Sequence, residues 1–298
     1  MIVFPHAKIN LGLRVTGRGK TAETRESRRP GTKNSQDYHT IETLLYPVGL
    51  YDALEAIPAP DQQLRFKQSG IPLPDDGKPN LCLRAYYLLK DIIWQRTSSM
   101  LPAVHIHLHK KIPAGAGLGG GSSDAAFMLL LLNELFRLGL TPKELTSLAG
   151  QLGSDCPFFM HKQPMLASGR GTILRPAGHI GLDNYHLLIV IPPIHISTAE
   201  AYRLVTPAEP EKKPADLLQE PVAMWQGQLI NDFENAIFRK HPGLKKIKKT
   251  LLAKGAAYAS ISGSGSAIYG FFPTTPPADD LGLLFPGCKI AEAPHPVL

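Results

Sequence analysis

Hydrophobic and polar positions alternate from Ile2 to Val15, with Ile9, Leu11, Leu13 and Val15 at period two, and the alternation predicts a strand. It stops at Gly17. From there to Gln36 the chain is polar and basic, with Arg18, Lys20, Arg25, Arg28, Arg29 and Lys33 against Glu23 and Glu26, and it reads as a mobile loop. Thr40 to Ile57 resumes apolar patterning as one or two strands. Leu81, Ala85, Leu88, Leu89 and Ile92 then fall at helical spacing behind the N-cap candidate Asn80. Val104 to Leu108 alternates again, so His105, His107 and His109 share one face of a strand and Val104, Ile106 and Leu108 the other. A half-buried strand with a wet side explains that face more simply than a zinc site.

Ala125 to Leu138 is almost wholly apolar in its first turns, which predicts a buried helix. Thr141, Pro142 and Glu144 form the signature of a capping box with proline at the first helical position, and that helix should end near Gly153. In the second half, Leu187 to Ile191 reads as a buried strand. Ala199 to Val205, Asn231 to Phe238 and Pro242 to Ala253 read as helices, and Pro207 to Pro214 as a surface loop. Ala256 to Phe272 holds a glycine-rich turn between strands. The pattern restarts after Pro164, which predicts two domains, 1–165 and 166–298.

Of the 298 residues 43% are hydrophobic and 19% charged, the balance of an ordinary globular protein rather than a disordered one. Cys82, Cys156 and Cys288 are odd in number and widely spaced, which argues against a disulfide framework and for a reducing, cytoplasmic compartment. The opening MIVFPHAKINLGL lacks the apolar stretch of a secretory leader. The longest apolar run, Ala125 to Leu132, is far below the roughly 20 residues of a membrane helix. A net charge of +7 suggests an anionic partner: nucleic acid, nucleotide or phosphorylated metabolite. The basic run Arg239 to Lys249 has no interleaved aromatics, so it reads as a solvated helix face and not as a nucleic-acid surface.

The strongest chemical signal is Pro113-Ala114-Gly115-Ala116-Gly117-Leu118-Gly119-Gly120-Gly121-Ser122-Ser123, after a strand and before a buried helix. Five glycines in seven positions let the backbone turn with positive φ and approach a ligand closely. Consecutive amides and the positive end of the helix then make a polyphosphate cradle. Ser122 and Ser123 could cap the helix, donate to phosphate oxygens or hold a metal ion, with Ser123 the candidate metal ligand. Lys110 and Lys111 lie beside the loop and could offset triphosphate charge. The string is neither a Walker A loop, which ends in Gly-Lys-Ser/Thr, nor a dinucleotide fingerprint, since a second helix follows where a strand should.

This string with Asp124-Ala125-Ala126 resembles the second motif of the GHMP small-molecule kinases. Pro5-His-Ala-Lys8-Ile-Asn10-Leu resembles their first motif, Leu152-Gly-Ser-Asp155-Cys-Pro-Phe158 their catalytic-aspartate segment, and Ser262-Gly263-Ser264-Gly265-Ser266 their third motif. The resemblance implies a two-domain α+β fold with the active site in the cleft between domains, and ATP with Mg2+ as phosphate donor. It implies that Asp155 is the base and that Lys8 contacts Asp155 and the reacting hydroxyl; Asn10, two residues on and on the same strand face as Lys8, is assigned to the substrate or the site's geometry. It also implies that Asn80, Leu81 and Lys110 border the adenine. Asp37-Tyr38-His39-Thr40 is similar to the members whose substrate is a small cytidine-diphosphate-linked alcohol, with Tyr38 and His39 holding the cytosine. Asp37 stands where those members carry glycine, after a longer loop. From the residues alone, an aspartate in a turn before proline is the favoured reading of Asp155, and Gly169-Arg170-Gly171 could be a turn near the substrate or a plain hairpin turn. The rival readings are a homoserine- or mevalonate-type GHMP kinase and a non-catalytic basic nucleic-acid-binding protein. The first reading needs neither a nucleic-acid nor a membrane partner and leaves oligomeric state open.

Overall fold

The computed structural model describes residues 1–18, 38–74, 77–276 and 281–293. Most of the 17–36 segment read above as a loop, and Asp37 after it, lie outside the described residues.

Three four-stranded sheets carry the fold. The first contains β1 (Ile2–Val3), β4 (Ala53–Pro58), β5 (Arg65–Gly70) and β6 (Val104–Lys110), in the order β1-β4-β6-β5. Helices α1 (Leu81–Thr97), α2 (Gly120–Leu135) and α3 (Pro142–Leu152) bury their apolar faces against it. Leu54, Ile106 and Leu108 of the sheet meet Leu89, Leu129 and Leu148 of the helices in one core. The second sheet orders β2 (His6–Arg18), β3 (His39–Tyr51), β7 (Met165–Gly169) and β8 (Ile173–Pro176). The third is β10 (Tyr258–Ile261), β11 (Ile268–Phe272), β9 (His186–Ile191) and β12 (Lys289–Glu292), in the order β10-β11-β9-β12. Of the second half's helices, α4 (Thr198–Arg203), α5 (Pro214–Leu217), α6 (Glu234–Lys240), α7 (Pro242–Ala253) and α8 (Leu281–Leu284), the pair α6 and α7 packs on the third sheet.

The second and third sheets share a core through Ile9, Leu11, Leu44, Ile189, Tyr269 and Phe271. That arrangement explains how β2 carries chemistry. Its odd residues Ala7, Ile9 and Leu11 enter this shared core, which turns His6, Lys8 and Asn10 to the opposite face. A bulge between Leu11 and Leu13, at Gly12 with φ 61°, then sends Leu13 and Val15 into the α6–α7 core instead. No helix among the described residues is long and apolar enough to cross a membrane.

Local signals are realised closely. Thr141 accepts from the Glu144 amide while the Glu144 carboxylate accepts from the Thr141 amide, completing the capping box. Asn80 caps α1 by accepting from the Cys82 amide at 2.8 Å. His107 and His109 both bond Ser69, His105 bonds Asp61, and the three stay half-buried above the apolar side of β6. Two expectations need correction. Helix α2 begins at Gly120, not Ala125, because burial against β6 and Leu81 outweighs the weak helix propensity of Gly-Gly-Ser-Ser. The helix expected from Asn231 begins at Glu234, because the Asn231 carboxamide is taken by the carbonyls of Ile261 and Gly263 at 3.0 and 2.9 Å.

Candidate active site

The glycine-rich loop leaves β6 and runs into α2. Gly115, Gly117 and Gly119 hold φ of 69°, 76° and 71°, a region that L side chains rarely occupy. A Cβ on Gly117 would lie 2.0 Å from the Ser262 carbonyl, and one on Gly119 would lie 2.9 Å from Phe159 Cζ. Gly120 and Gly121 are helical instead, so three of the five glycines supply the turns. The N-cap of α2 is Gly119, with no side-chain cap. Ser122 and Ser123 sit inside the first turn and do not cap it, which corrects that part of the expectation. An uncapped helix N-terminus under a left-handed loop directs amide donors and positive dipole at whatever anion lies there.

The other segments close on this loop through the backbone. The Lys8 amide donates to the Leu118 carbonyl at 2.9 Å, and the Ala267 amide to the Ala116 carbonyl at 3.1 Å. Ser262 Oγ donates to the Gly117 carbonyl at 2.8 Å and accepts from the Asn10 amide at 3.3 Å. Gly263, with φ 55°, leaves room for Asn10 Oδ1, and Gly265 has φ 89°. Ser264 Oγ meets Thr198 Oγ1 at 3.2 Å. The second glycine-rich turn thus backs the first, and residues more than 100 apart in sequence fix its shape.

Lys8 stands beside this loop. Its Nζ donates to Asn10 Oδ1 at 2.6 Å and lies 3.5 Å from Asp155 Oδ2. The lysine side chain is 5% exposed and that of Asp155 41% exposed, so one member is fixed and the other is open to a ligand. Asn10 is held in turn, donating to Thr43 Oγ1 at 3.1 Å, while Thr43 donates to the Gly12 carbonyl. Asp155 precedes a 3-10 turn, Cys156–Met160, and its side chain makes no capping bond there. Ser122 bonds the thiol of Cys156, which burial raises to about 11, and this joins the first turn of α2 to the Asp155 turn. Ser123 Oγ is fully buried with no hydrogen-bond partner among the described residues.

Lys110 does not offer its charge to the cradle, which corrects the expectation for it. Its Nζ bonds Asp52 Oδ2 at 2.5 Å and Asp124 Oδ2 at 2.7 Å, with the lysine side chain 1% exposed. Asp52 Oδ1 accepts the amides of Lys111 and Ile112 at 2.5 and 2.9 Å, which clamps the strand end where the loop begins. Burial raises the Asp124 carboxyl to about 7 against the pull of Lys110, with Asp52 adding to the rise. Of the residues expected around the adenine, Leu81 lies 3.6 Å from the Cβ position of Gly121, and the Asn80 carboxamide oxygen is engaged as a cap.

At the other end of β3, His39 stacks on Tyr202 with centroids 4.8 Å apart and planes 18° apart. Burial, and then the charge of Arg18, lower the His39 pKa, so the imidazole is neutral at pH 7, and its Nε2 has no partner among the described residues. Burial and the negative charge of Asp155 together raise Tyr202 to about 12, so one ring spans from His39 towards Asp155. Tyr38 is 43% exposed, with the Arg170 guanidinium 3.5 Å from its ring centroid. Tyr202, Thr43, Asp52 and Asp124 were not legible as site residues. Tyr202 falls in a predicted helix without any motif, and the other three matter only through partners far along the chain.

Residues 80–163 match the GHMP kinases N terminal domain and residues 215–282 the GHMP kinases C terminal family. A protein of Cytophaga hutchinsonii named 4-diphosphocytidyl-2-C-methyl-D-erythritol kinase is 43% identical over 93% of this chain and 94% of its own. One of the same name from Azobacteroides pseudotrichonymphae is 46% identical over 91% and 93%. A crystal structure of 4-(cytidine 5'-diphospho)-2C-methyl-D-erythritol kinase superposes with a TM-score of 0.76 at 31% identity, covering 98% of both chains. The mevalonate kinase of Methanococcus jannaschii shares the fold, with a TM-score of 0.68 at 15% identity. Identity at this level over nearly the whole length, on a structure in which the motif segments meet around one glycine loop, makes the relationship plain: the chain belongs to the GHMP kinase family.

Proposed function

We propose that this protein transfers the γ-phosphate of ATP to the free hydroxyl of 4-diphosphocytidyl-2-C-methyl-D-erythritol, a step of the non-mevalonate route to isoprenoid precursors. The observation that carries the chemistry is Lys8 Nζ 3.5 Å from a half-exposed Asp155, beside an uncapped helix N-terminus under a left-handed glycine loop. The loop amides hold the triphosphate. Asp155 accepts the hydroxyl proton as the alcohol oxygen attacks the γ-phosphorus. Lys8, 3.5 Å from Asp155, offsets charge on the transferring phosphoryl oxygens, and ADP leaves. Asn10 and Thr43 fix the lysine's position. Magnesium bound with ATP would neutralise phosphate charge, and the orphaned Ser123 hydroxyl in the first turn of α2 fits an oxygen ligand for it. In this reading residues 1–165 carry the cradle and the base, and 166–298 close the other side of the cleft.

The cytidine choice rests on Tyr38 and His39, and the names of the similar proteins support it. Stacking on Tyr38 cannot tell cytosine from uracil, so hydrogen bonds at His39, through ring or backbone, must do so. A neutral imidazole suits that task, because it offers one donor and one acceptor. A coupled ADP-release assay tests the proposal with the cytidine-linked alcohol, its uridine counterpart, mevalonate and homoserine. The cytidine compound should exceed the uridine one by at least about a hundredfold in kcat/KM, the scale of two failed hydrogen bonds. Equal use of the two pyrimidines refutes the cytidine assignment, and turnover of only mevalonate or homoserine moves the protein elsewhere in the family.

A further inference from the structure

Arg170 is an exposed residue at the tip of the β7–β8 hairpin, between Gly169 and Gly171 at φ 65° and 86°. The tip is held firmly. The Gly171 amide donates to the Ser168 carbonyl at 3.0 Å, and β7 pairs with β3 in the register Ile41 to Gly169 and Glu42 to Ser168. The hairpin turn therefore lies across the sheet from the start of β3, where Tyr38 and His39 stand. Arg170 uses that position to lay its guanidinium 3.5 Å from the centre of the Tyr38 ring. It forms no ion pair with any described carboxylate, unlike Lys8, Arg14 or Lys110.

We propose that Arg170 is a substrate-binding residue: it backs the Tyr38 ring on one face and directs its edge donors to the diphosphate of the cytidine-linked alcohol. The proposal rests on the cytidine-diphosphate reading above and deepens it. A guanidinium can stack through its plane and still present N–H groups at its edge, in a fork that matches two phosphate oxygens. A nucleoside diphosphate carries its anion one sugar away from its base. A platform that binds the base on one face of its ring therefore needs a cation within reach of that ring, and a hairpin pinned to the same sheet brings one over the other face. Lysine could bring the charge but not the flat stack. Methionine could cover the ring but not bind phosphate.

The test is steady-state kinetics of Arg170→Lys and Arg170→Met with ATP and the cytidine-linked alcohol, with CDP and cytidine as competing probes. In Arg170→Met, KM for the alcohol and the inhibition constant of CDP should rise together by about tenfold to a hundredfold, the value of a lost charge-assisted pair. Inhibition by cytidine, which has no phosphate, should change by less than about threefold, and KM for ATP should not move. Arg170→Lys should fall between the two. An unchanged alcohol KM and CDP constant in Arg170→Met overturns the proposal. Equal weakening of CDP and cytidine overturns the diphosphate contact and leaves Arg170 as a prop for Tyr38. The unaltered protein separates this role from the parent reading. No turnover there rejects the cytidine assignment and this role with it, whereas normal turnover with unmoved constants in the variant rejects Arg170 alone.

Discussion

Two lysine–aspartate groupings flank the same glycine loop, and they are built for opposite ends. Lys8 and Asp155 are 3.5 Å apart, and the aspartate side chain is 41% exposed. Lys110 is held by Asp52 and Asp124 at 2.5 and 2.7 Å, and none of the three side chains is more than 2% exposed. The residue types are the same, so type alone does not tell which grouping reacts. What differs is spare capacity. The first pair is loose and has an open carboxylate that can meet a substrate hydroxyl. In the second grouping the ammonium is shared by two carboxylates, and Asp52 also accepts two loop amides. An ion held that tightly in a dry place fixes geometry, and separating it from its partners is costly.

Substitution at the loop itself should do the most damage. Gly119→Val places a branched side chain at φ 71° with its Cβ 2.9 Å from Phe159 and 3.1 Å from Lys8 Cγ. ATP should no longer saturate the variant in calorimetric titration, while far-ultraviolet dichroism stays that of a folded protein. Unchanged ATP binding would reduce the loop to packing. Next in size is Lys110→Met, which leaves Asp52 and Asp124 buried without their cation. Urea unfolding should show a loss of about 3–5 kcal/mol. A loss below about 1 kcal/mol would mean that the cluster does not hold the loop.

Asp124→Asn is subtler and is read against pH. Because its folded pKa is raised, Asp124 contributes stability fully below the ordinary value of 3.8, and the contribution is lost as pH rises through about 7. The stability difference between the unaltered protein and Asp124→Asn should therefore shift between pH 4 and 7 and level off above, as followed by unfolding midpoints across that range. A constant difference would place the titration elsewhere. The smallest expected stability change is that of Asp155→Asn, about 1 kcal/mol or less, because its partner is reached across a half-solvated gap.

What could be read in the sequence follows the range of the interactions. The Thr141–Glu144 box and the Asn80 cap act within four residues, so their signals were sufficient. The glycine-rich loop was legible as a left-handed turn because such turns demand glycine and few other roles do. β5 was not, since Arg65–Gly70 reads RFKQSG, without alternation, on a largely exposed sheet edge. That Lys110 is already paired was not legible for the complementary reason. Its partner Asp52 is 58 residues away, and only the fold reveals that the ammonium is already taken. Tyr202 joins His39 to the neighbourhood of Asp155 through stacking and charge across separate elements, which no local pattern carries.

Asp155→Asn, which should disturb stability least, bears most directly on the chemistry. ADP release is followed for the unaltered protein and Asp155→Asn with ATP and the cytidine-linked alcohol, and ATP binding is titrated in both. ADP release should depend on the alcohol in the unaltered protein, kcat should fall by at least about a hundredfold in Asp155→Asn, and ATP affinity should be retained. Near-normal turnover in Asp155→Asn would contradict the assignment of the open aspartate as the reacting base.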